Sequence, residues 1–226
     1  MKDLTYRQKF IRLFDSLCNA RSRFTVWSDF IHMAAYSISN ACNYRQAIED
    51  RYMDIVGKYT RQDAEDISNL LAFTIEALQE NRKQDFLGEL YMEFGFGDKK
   101  KGEYFTPYYI AAAMAKMNSN DGTEERYIKI IDPACGSGVL LIAFTNNLIE
   151  QGIDHHLKAL VIANDIDPCI SLMCYIQLSL LGCAGYVCIR DTFTEPMVGN
   201  ILVPPEDAFI MPLFLHPIWK FRRELL

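Results

Sequence analysis

Apolar side chains recur at the three- and four-residue spacing of amphipathic helices through the first 97 residues. The core positions fall into three groups: Phe10, Leu13, Phe14 and Leu17; Trp27, Phe30, Ile31 and Ala34; and Ile67, Leu70, Leu71, Ile75 and Leu78. No proline interrupts this stretch, since the first one is Pro107. Thr5 and Gln8 fit a capping box, and Asp85 can cap the last helix. We therefore predict an all-α N-terminal domain over residues 1–97.

Residues 98–226 follow a different pattern, in which short apolar runs end in acidic residues and helical stretches separate the runs. Three successive runs end at Asp132, Asp165 and Asp191. Alternating strands and helices are typical of an α/β domain with a partly parallel sheet. Ligands of such sheets bind outside the carboxyl ends of the strands, so we expect the three aspartates to lie along one rim.

The turn after the first run, residues 132–138, reads Asp-Pro-Ala-Cys-Gly-Ser-Gly and leads into an apolar helix. Glycines allow a backbone to approach a ligand closely at a helix N-terminus. A phosphate-binding loop requires Lys and then Ser or Thr where this chain has Val139 and Leu140. A dinucleotide fingerprint requires a third glycine where the chain has Leu141. An ordinary strand-to-helix turn that binds no ligand remains an alternative to a ligand-binding turn.

These motifs together resemble those of amino-group DNA methyltransferases, especially the modification subunits of type I restriction systems. Residues 132–138 are similar to the S-adenosylmethionine motif of that family, and Gly102–Pro107 to the segment that closes over the methionine end of the cofactor. Asn164–Pro168 and Arg190–Pro196 resemble the acidic ends of the second and third strands. Four matches in the family's order, over roughly residues 88–196, are far more specific than one motif.

The resemblance implies a Rossmann-like, S-adenosylmethionine-dependent methyltransferase core in residues 98–226. Asp132 would then accept hydrogen bonds from the cofactor's ammonium group, Asp165 from its ribose hydroxyls and Asp191 from its adenine amine. Ile166 would pack on the adenine face. The full set of expected cofactor-binding residues is Tyr104, Phe105, Thr106, Pro107, Asp132, Pro133, Ala134, Cys135, Gly136, Gly138, Asp165, Ile166, Asp191 and Phe193.

The catalytic tetrapeptide of the resembled family is not found in this sequence. The family has Asn or Asp, then Pro-Pro, then Tyr or Phe at the end of its fourth strand. Pro204–Pro205 is flanked by Val203 and Glu206, and Asn200 lies too far upstream. His216–Trp219 is only a loose mimic of the tetrapeptide. We therefore assign no catalytic residue.

The part of the sequence after Asp191 is short for a complete sheet of this kind. It contains 35 residues, whereas each further parallel strand needs a crossover of about a dozen residues or more. We expect a sheet truncated after its first strands. Its open edge would be shielded by residues 197–226, by a partner subunit or by a second copy of the chain.

Composition bears on the cellular location of the protein and on whether it holds a metal site. No run reaches the roughly 20 apolar residues of a membrane span, and no signal peptide is recognisable, so we expect a cytoplasmic protein without membrane association. The seven cysteines lack the spacing of zinc ligands and are expected to be buried thiols, with no metal site. Cys169 follows Pro168, as the nucleophile of cytosine-C5 methyltransferases does. We interpret this pair as the first turn of a helix.

Charge bears on the expected partners. A net charge of -6 and a pI near 5.3 disfavour autonomous DNA binding, which depends on Lys and Arg. The compact basic clusters, Lys99–Lys101 and Lys220–Arg223, are typical of solvated surface runs. The resemblance implies that DNA is bound within a complex, through a specificity subunit, another modification subunit or self-association.

Two hypotheses about function follow. The first is an adenine-N6 DNA methyltransferase subunit of restriction-modification type. The second is a non-catalytic relative that keeps the cofactor pocket for structure, regulation or partner binding, because the catalytic tetrapeptide is absent.

Overall fold

The structure, a computed structural model, describes residues 4–97, 104–117, 126–196 and 199–225. The chain divides into two compact units, residues 1–82 and residues 83–226. None of the described helices combines the length and the hydropathy that crossing a membrane requires.

The first unit consists of helices whose apolar faces form the predicted core. These are α1 (Tyr6–Leu17), α2 (Arg23–Cys42), α3 (Gln46–Val56) and α4 (Arg61–Glu80). Both hydrogen bonds of the predicted capping box are present at the start of α1. The rings of Phe10, Trp27 and Phe30 are fully buried, with centroids between 5.5 and 6.1 Å apart. The helical prediction for this part of the chain is confirmed.

The next helix, α5 (Phe86–Glu93), belongs to the second unit. Asp85 caps it as predicted, by accepting a hydrogen bond from the amide of Gly88 at 3.0 Å. The amide of Leu87 donates to Gln177 Oε1 at 3.1 Å and so ties α5 to a distant part of the same unit. The units therefore divide earlier than the boundary after residue 97 that we expected. The cap at Asp85 indicated the start of this helix but carried no information on which unit the helix packs with.

The second unit contains a sheet with the strand order β1-β2-β3-β4. The strands β1 (Ile128–Asp132), β2 (Ala159–Asp165) and β3 (Ala184–Ile189) are parallel, and β4 (Phe209–Ile210) runs antiparallel to β3. Every residue of β2 and β3 except the last is buried, as apolar strands of parallel sheets usually are. The predicted α/β class with a partly parallel sheet is confirmed.

Helices surround the parallel strands. They are α6 (Tyr108–Met117), α7 (Val139–Glu150), α8 (His155–Lys158), α9 (Pro168–Leu180) and α10 (Pro217–Glu224), with a 3-10 helix at Pro212–Leu215. The helix α9 packs against β2 and β3. The small side chains Ala111 and Ala115 let α6 pack closely on α7, against Val139 and Ala143. This arrangement places the turn between β1 and α7 at the carboxyl end of the sheet.

The two edges of the sheet differ in how they are covered. On the β3 side, β4 pairs with the sheet, and Phe214 and Trp219 of the segment that follows are fully buried against it. This part of residues 197–226 therefore shields one edge, as one of our alternatives expected. On the other side, β1 has no second neighbour among the described strands, and its Ile131 is 48% exposed.

Candidate functional site

The glycine turn, residues Pro133–Gly138, connects β1 to α7 and is held by backbone hydrogen bonds. The amide of Cys135 donates to the carbonyl of Asn164 at 2.9 Å, and the amide of Gly138 donates to the carbonyl of Cys135 at 2.9 Å. Gly136 and Gly138 have φ angles of 55° and 97°, which other residues rarely adopt. The turn thus presents its backbone at the N-terminus of α7, where unpaired amides attract acceptor groups.

Asp165, at the end of β2, joins the glycine turn to the second strand. Its Oδ2 accepts a hydrogen bond from the amide of Gly136 at 2.9 Å, and its Oδ1 accepts one from the amide of Asp167 at 3.1 Å. A carboxylate oxygen has two lone pairs, so each oxygen can accept a further hydrogen bond from a ligand. The predicted position of Asp165 beside the turn agrees with this geometry.

Asn164 links the ends of all three parallel strands and was not in our predicted site. This buried side chain donates from Nδ2 to the carbonyl of Arg190 at 2.9 Å and to Thr192 Oγ1 at 2.5 Å. Thr192 Oγ1 in turn donates to the carbonyl of Pro133 at 2.6 Å. An amide side chain next to an acidic strand end, within an otherwise apolar strand, was the available sequence signal for such a link.

An open cavity of about 260 Å³ lies between the ends of β2 and β3 and the glycine turn. Its lining combines acceptors with exposed apolar side chains: Ile166 is 66% exposed and Phe193 is 98% exposed. Asp191 Oδ1 accepts a hydrogen bond from the amide of Phe193 at 2.9 Å, which fixes the loop after β3. Such a cavity suits a flat ring with polar edges. It is lined by Pro133, Ala134, Asp165, Ile166, Arg190, Asp191, Thr192 and Phe193.

Asp132 lies at the end of β1, on the same rim as the other two aspartates. Its Oδ1 accepts a hydrogen bond from the amide of Ala134 at 3.1 Å. Burial, and to a lesser degree the negative charge of Asp165, raises the pKa of the Asp132 carboxyl above its ordinary value. Asp132 does not line the cavity of Asp165 and Asp191 but a neighbouring one of about 400 Å³, between β1 and α7. The predicted rim exists, and it spans two cavities.

The segment Tyr104–Pro107 leads into α6 and includes a ring that lies close to the glycine turn. Phe105 stacks on Tyr91, with centroids 5.5 Å apart. A carbon of the Phe105 ring lies 3.7 Å from the place that a Cβ of Gly136 would take. Tyr104 is 66% exposed beside it. Phe105 therefore lies beside the glycine turn, while Gly102 falls outside the described residues.

The loose tetrapeptide mimic is not a base-binding element. His216 caps α10, by accepting a hydrogen bond from the amide of Ile218 at 3.4 Å. Trp219 is fully buried, and its indole N–H donates to the carbonyl of His156 at 2.9 Å. An aromatic face inside the core cannot stack on a nucleobase. His216–Trp219 therefore serves to anchor the C-terminal segment to the sheet.

The cysteines are buried in the second unit but not in the first. Cys135, Cys169, Cys174, Cys183 and Cys188 are buried, whereas Cys18 is partly exposed and Cys42 is exposed. Burial raises the pKa of Cys169 to about 12, so this thiol is not ionised at neutral pH. Pro168 occupies the first turn of α9. The helical interpretation of this Pro-Cys pair is confirmed, and our expectation of buried thiols was wrong for Cys18 and Cys42.

The basic cluster in α10 is only partly solvated: Lys220 is exposed as expected, whereas Arg222 is buried and Arg223 is partly buried, contrary to our expectation. Arg222 Nη1 donates to the carbonyl of Leu157 at 2.6 Å, and Arg223 Nη1 donates to the carbonyl of Phe214 at 2.8 Å. Both guanidinium groups help to hold α10 in place, which leaves fewer of their N–H donors available to phosphate groups. Lys99–Lys101 lies outside the described residues.

Within the described parts of the chain, one group of side chains has the proximity that a metal ion requires. The ligand atoms of Asp154, His155 and His156 lie within 4.8 Å of one another. Each side chain already has a structural hydrogen bond: Asp154 caps α8, and the two imidazoles bond to the carbonyls of Leu181 and Gly182 at 3.2 and 2.6 Å. These bonds explain the cluster without an ion.

Comparison with known proteins gives a family match and similar relatives. Residues 82–207, more than half of the chain, match the model of the N-6 DNA Methylase family. The methylase subunit of the type I restriction enzyme MjaIX from Methanocaldococcus jannaschii is 27% identical over 152 residues, which cover 65% of this chain and 27% of that subunit. The chain therefore spans about a quarter of the length of this relative.

A solved structure from Listeria monocytogenes, described as a class I S-adenosylmethionine-dependent methyltransferase, is also similar. Its sequence is 16% identical, and the superposition covers 78% of this chain and 57% of that one, with a TM-score of 0.41.

Proposed function

The chain belongs to the N-6 DNA methylase family, and from this premise we propose that it is the cofactor-binding part of an S-adenosylmethionine-dependent methyltransferase that acts on adenine N6 in DNA. The observation that carries the proposal is the rim of Asp132, Asp165 and Asp191 around the glycine turn. Three acceptors at the ends of adjacent parallel strands match a cofactor with a cationic amino acid end, a ribose diol and an adenine amine.

The residues that line the two cavities suggest where each part of the cofactor would lie. Asp165 and Asp191 line one cavity with Ile166 and Phe193, so the ribose and the adenine would lie there, with the ring against the exposed apolar side chains. Asp132 would hold the ammonium group near the glycine turn. Tyr104–Pro107 would cover the methionine end, since Phe105 already lies beside Gly136. When bound, the cofactor supplies an electrophilic methyl group on its sulfonium.

The part of the site that holds the target base is proposed to come from another polypeptide segment. The sequence has no catalytic tetrapeptide, and β1, which lines the same cavity as Asp132, has no second neighbour among the strands that the structure describes. The net charge of -6 and the structural use of Arg222 and Arg223 also favour DNA binding within a complex. We include a specificity subunit, another modification subunit and self-association as the candidate arrangements. A DNA substrate also favours the cytoplasmic location expected from the sequence.

Methyl transfer to DNA tests the function directly. With the chain alone, we expect no transfer of a labelled methyl group from S-adenosylmethionine to adenine-containing DNA. Once a partner polypeptide encoded nearby is added, we expect this transfer to occur. DNA whose adenines already carry an N6 methyl group is the control. If the cofactor binds and neither condition labels DNA, the methyltransferase proposal fails and the non-catalytic function takes its place.

Cofactor affinity is expected to decrease as the pH is lowered. The decrease should begin at a higher pH than it would if Asp132 had the pKa of an ordinary aspartate. The ammonium group requires an ionised Asp132, and the raised pKa of this carboxyl means that it gains its proton sooner as the pH falls. Isothermal titration calorimetry across the neutral to acidic range measures this.

Two controls isolate Asp132 in that titration. The variant Asp132→Asn should bind more weakly at neutral pH and lose the pH dependence that this residue causes. 5′-Methylthioadenosine, which lacks the ammonium group, should bind with a smaller pH dependence than the whole cofactor. A wild-type affinity that stays constant on acidification would show that Asp132 does not hold the ammonium.

A further inference from the structure

A cluster of buried polar side chains holds the glycine turn on its buried side, and Asp85 is at the centre of this cluster. Asp85 is 2% exposed, and its carboxylate has three donors. Ser137 donates from its hydroxyl, Gln177 donates from Nε2 at 2.8 Å, and the amide of Gly88 donates at 3.0 Å. These donors come from the glycine turn, from α9 and from α5. One carboxylate therefore connects three segments that are distant in sequence.

Gln177 completes the connection. This fully buried side chain donates from Nε2 to the carbonyl of Ser137 at 3.0 Å as well as to Asp85, and its Oε1 accepts a hydrogen bond from the amide of Leu87 at 3.1 Å. Ser137 is consequently held at its hydroxyl by Asp85 and at its carbonyl by Gln177. The polar atoms of this cluster satisfy one another, as buried polar networks must in order to persist.

The turn needs these hydrogen bonds because a glycine lies on each side of Ser137. Gly136 and Gly138 have positive φ angles, and glycine has more accessible backbone conformations than any other residue. A turn of this composition would otherwise sample several conformations before a ligand binds. Gly88 shows how close the contact is, since a Cβ at this position would overlap both Asp85 and Ser137.

Stability alone is a poor explanation for this carboxylate. Burial raises the pKa of Asp85, which means that the charged form is penalised in this position. Apolar residues of similar volume often give an equal or greater stability than buried charged groups do. The cluster contacts the turn, however, at the residue between the two glycines, where a fixed conformation matters for binding.

We propose that Asp85 is a positioning residue for the cofactor site, which acts through Ser137 and Gln177 to keep the glycine turn in its binding conformation. The inference rests on the proposed function for its ligand, S-adenosylmethionine. The fixed turn keeps the amide of Gly136 on Asp165 and the N-terminus of α7 in place before the ligand arrives. Such preorganisation lowers the entropy that binding would otherwise cost.

The test combines cofactor affinity with amide hydrogen exchange in full-length variants. Asp85→Ala leaves three donors unpaired, so we expect at least a tenfold weaker affinity and faster exchange of the Gly136 and Gly138 amides. Asp85→Asn should stay within about threefold of the wild type, because its amide can donate to Ser137 Oγ while its carbonyl accepts from Gln177 and Gly88. Calorimetry is carried out at a temperature well below the midpoint of thermal unfolding of each variant, so that each protein is folded during the titration.

Thr145→Ala is the matched control. Thr145 is a fully buried polar residue of α7 whose hydroxyl bonds to the carbonyls of Leu141 and Ile142, away from the turn. We expect this variant to lose stability without loss of affinity or of protection at Gly136 and Gly138. If Asp85→Ala fails to fold, Ser137→Ala removes one hydrogen bond of the same cluster and carries the same expectation on a smaller scale.

Two results would overturn the inference. One is an Asp85→Ala protein, or Ser137→Ala in its place, with wild-type affinity and wild-type exchange at the turn. The other is a loss of affinity no larger than that of Thr145→Ala. A wild-type protein that does not bind S-adenosylmethionine would contradict the proposed function instead, and the exchange rates would still decide whether Asp85 positions the turn.

Discussion

Replacing Gly138 with alanine is expected to lower the free energy of unfolding of the second unit by about 2–5 kcal/mol and to abolish measurable cofactor binding. The positive φ of 97° costs about 1–2 kcal/mol for a residue with a Cβ. The new Cβ would also lie 2.8 Å from the Sγ and 3.4 Å from the Cα of Cys174, and overpacking of this kind costs about 1–3 kcal/mol more. Denaturant unfolding and calorimetry measure the two effects.

Gly152, just beyond the other end of α7, offers a matched control for this prediction. It has a φ of 74°, and a Cβ there would meet no atom within 4 Å. Gly152→Ala should therefore cost only the backbone part, about 1–2 kcal/mol, and leave cofactor affinity unchanged. Equal losses of stability in the two variants would show that close packing of Cys174 against the turn is not what requires glycine at position 138.

Replacing Asp165 with alanine is expected to weaken cofactor binding by about tenfold to a hundredfold. The variant removes the proposed acceptor of the ribose hydroxyls, and hydrogen bonds to charged groups contribute about 1.5–3 kcal/mol. It also leaves the amide of Gly136 without its carboxylate partner, so the turn itself becomes less ordered. Calorimetric titration with S-adenosylmethionine measures the change.

Asp167→Ala separates this effect from general damage to the loop after β2. Asp167 caps α9 by accepting a hydrogen bond from the amide of Ile170 at 3.0 Å, and it does not line the cavity. Its loss should cost about 1 kcal/mol of stability, with affinity within twofold of the wild type. An unchanged dissociation constant for Asp165→Ala would mean that the ribose role is assigned to the wrong carboxylate.

Local patterns in the sequence predicted the features that depend on neighbouring residues. Helical spacing identified α1, α2 and α4 of the first unit. Thr5 and Asp85 were recognised as caps because capping depends on a few adjacent positions. The apolar runs before Asp132, Asp165 and Asp191 became parallel strands with their acidic ends at one edge. Parallel pairing makes that edge common to all three, which is why spacing was sufficient.

Contacts between distant residues were beyond such patterns. Asp85 was recognised only as a helix cap, and Asn164 only as the first residue of a motif. Their other partners lie tens of residues away, so the adjacent sequence does not identify those partners. Trp219 looked like a possible base-stacking ring until the fold placed it in the core. An aromatic residue has the same local signature in both settings, and only burial distinguishes them.

The order of residues along the chain was thus enough to predict the class of the fold, the acidic rim and the protein family, because strand ends, glycine turns and helix caps are encoded within a few positions. The tertiary structure alone decided that α5 belongs to the second unit, that β4 and Trp219 cover the β3 side, and that Asp85 supports the glycine turn. Each of these depends on which buried groups find a hydrogen-bond or packing partner after the chain has folded, and that is a property of three-dimensional proximity.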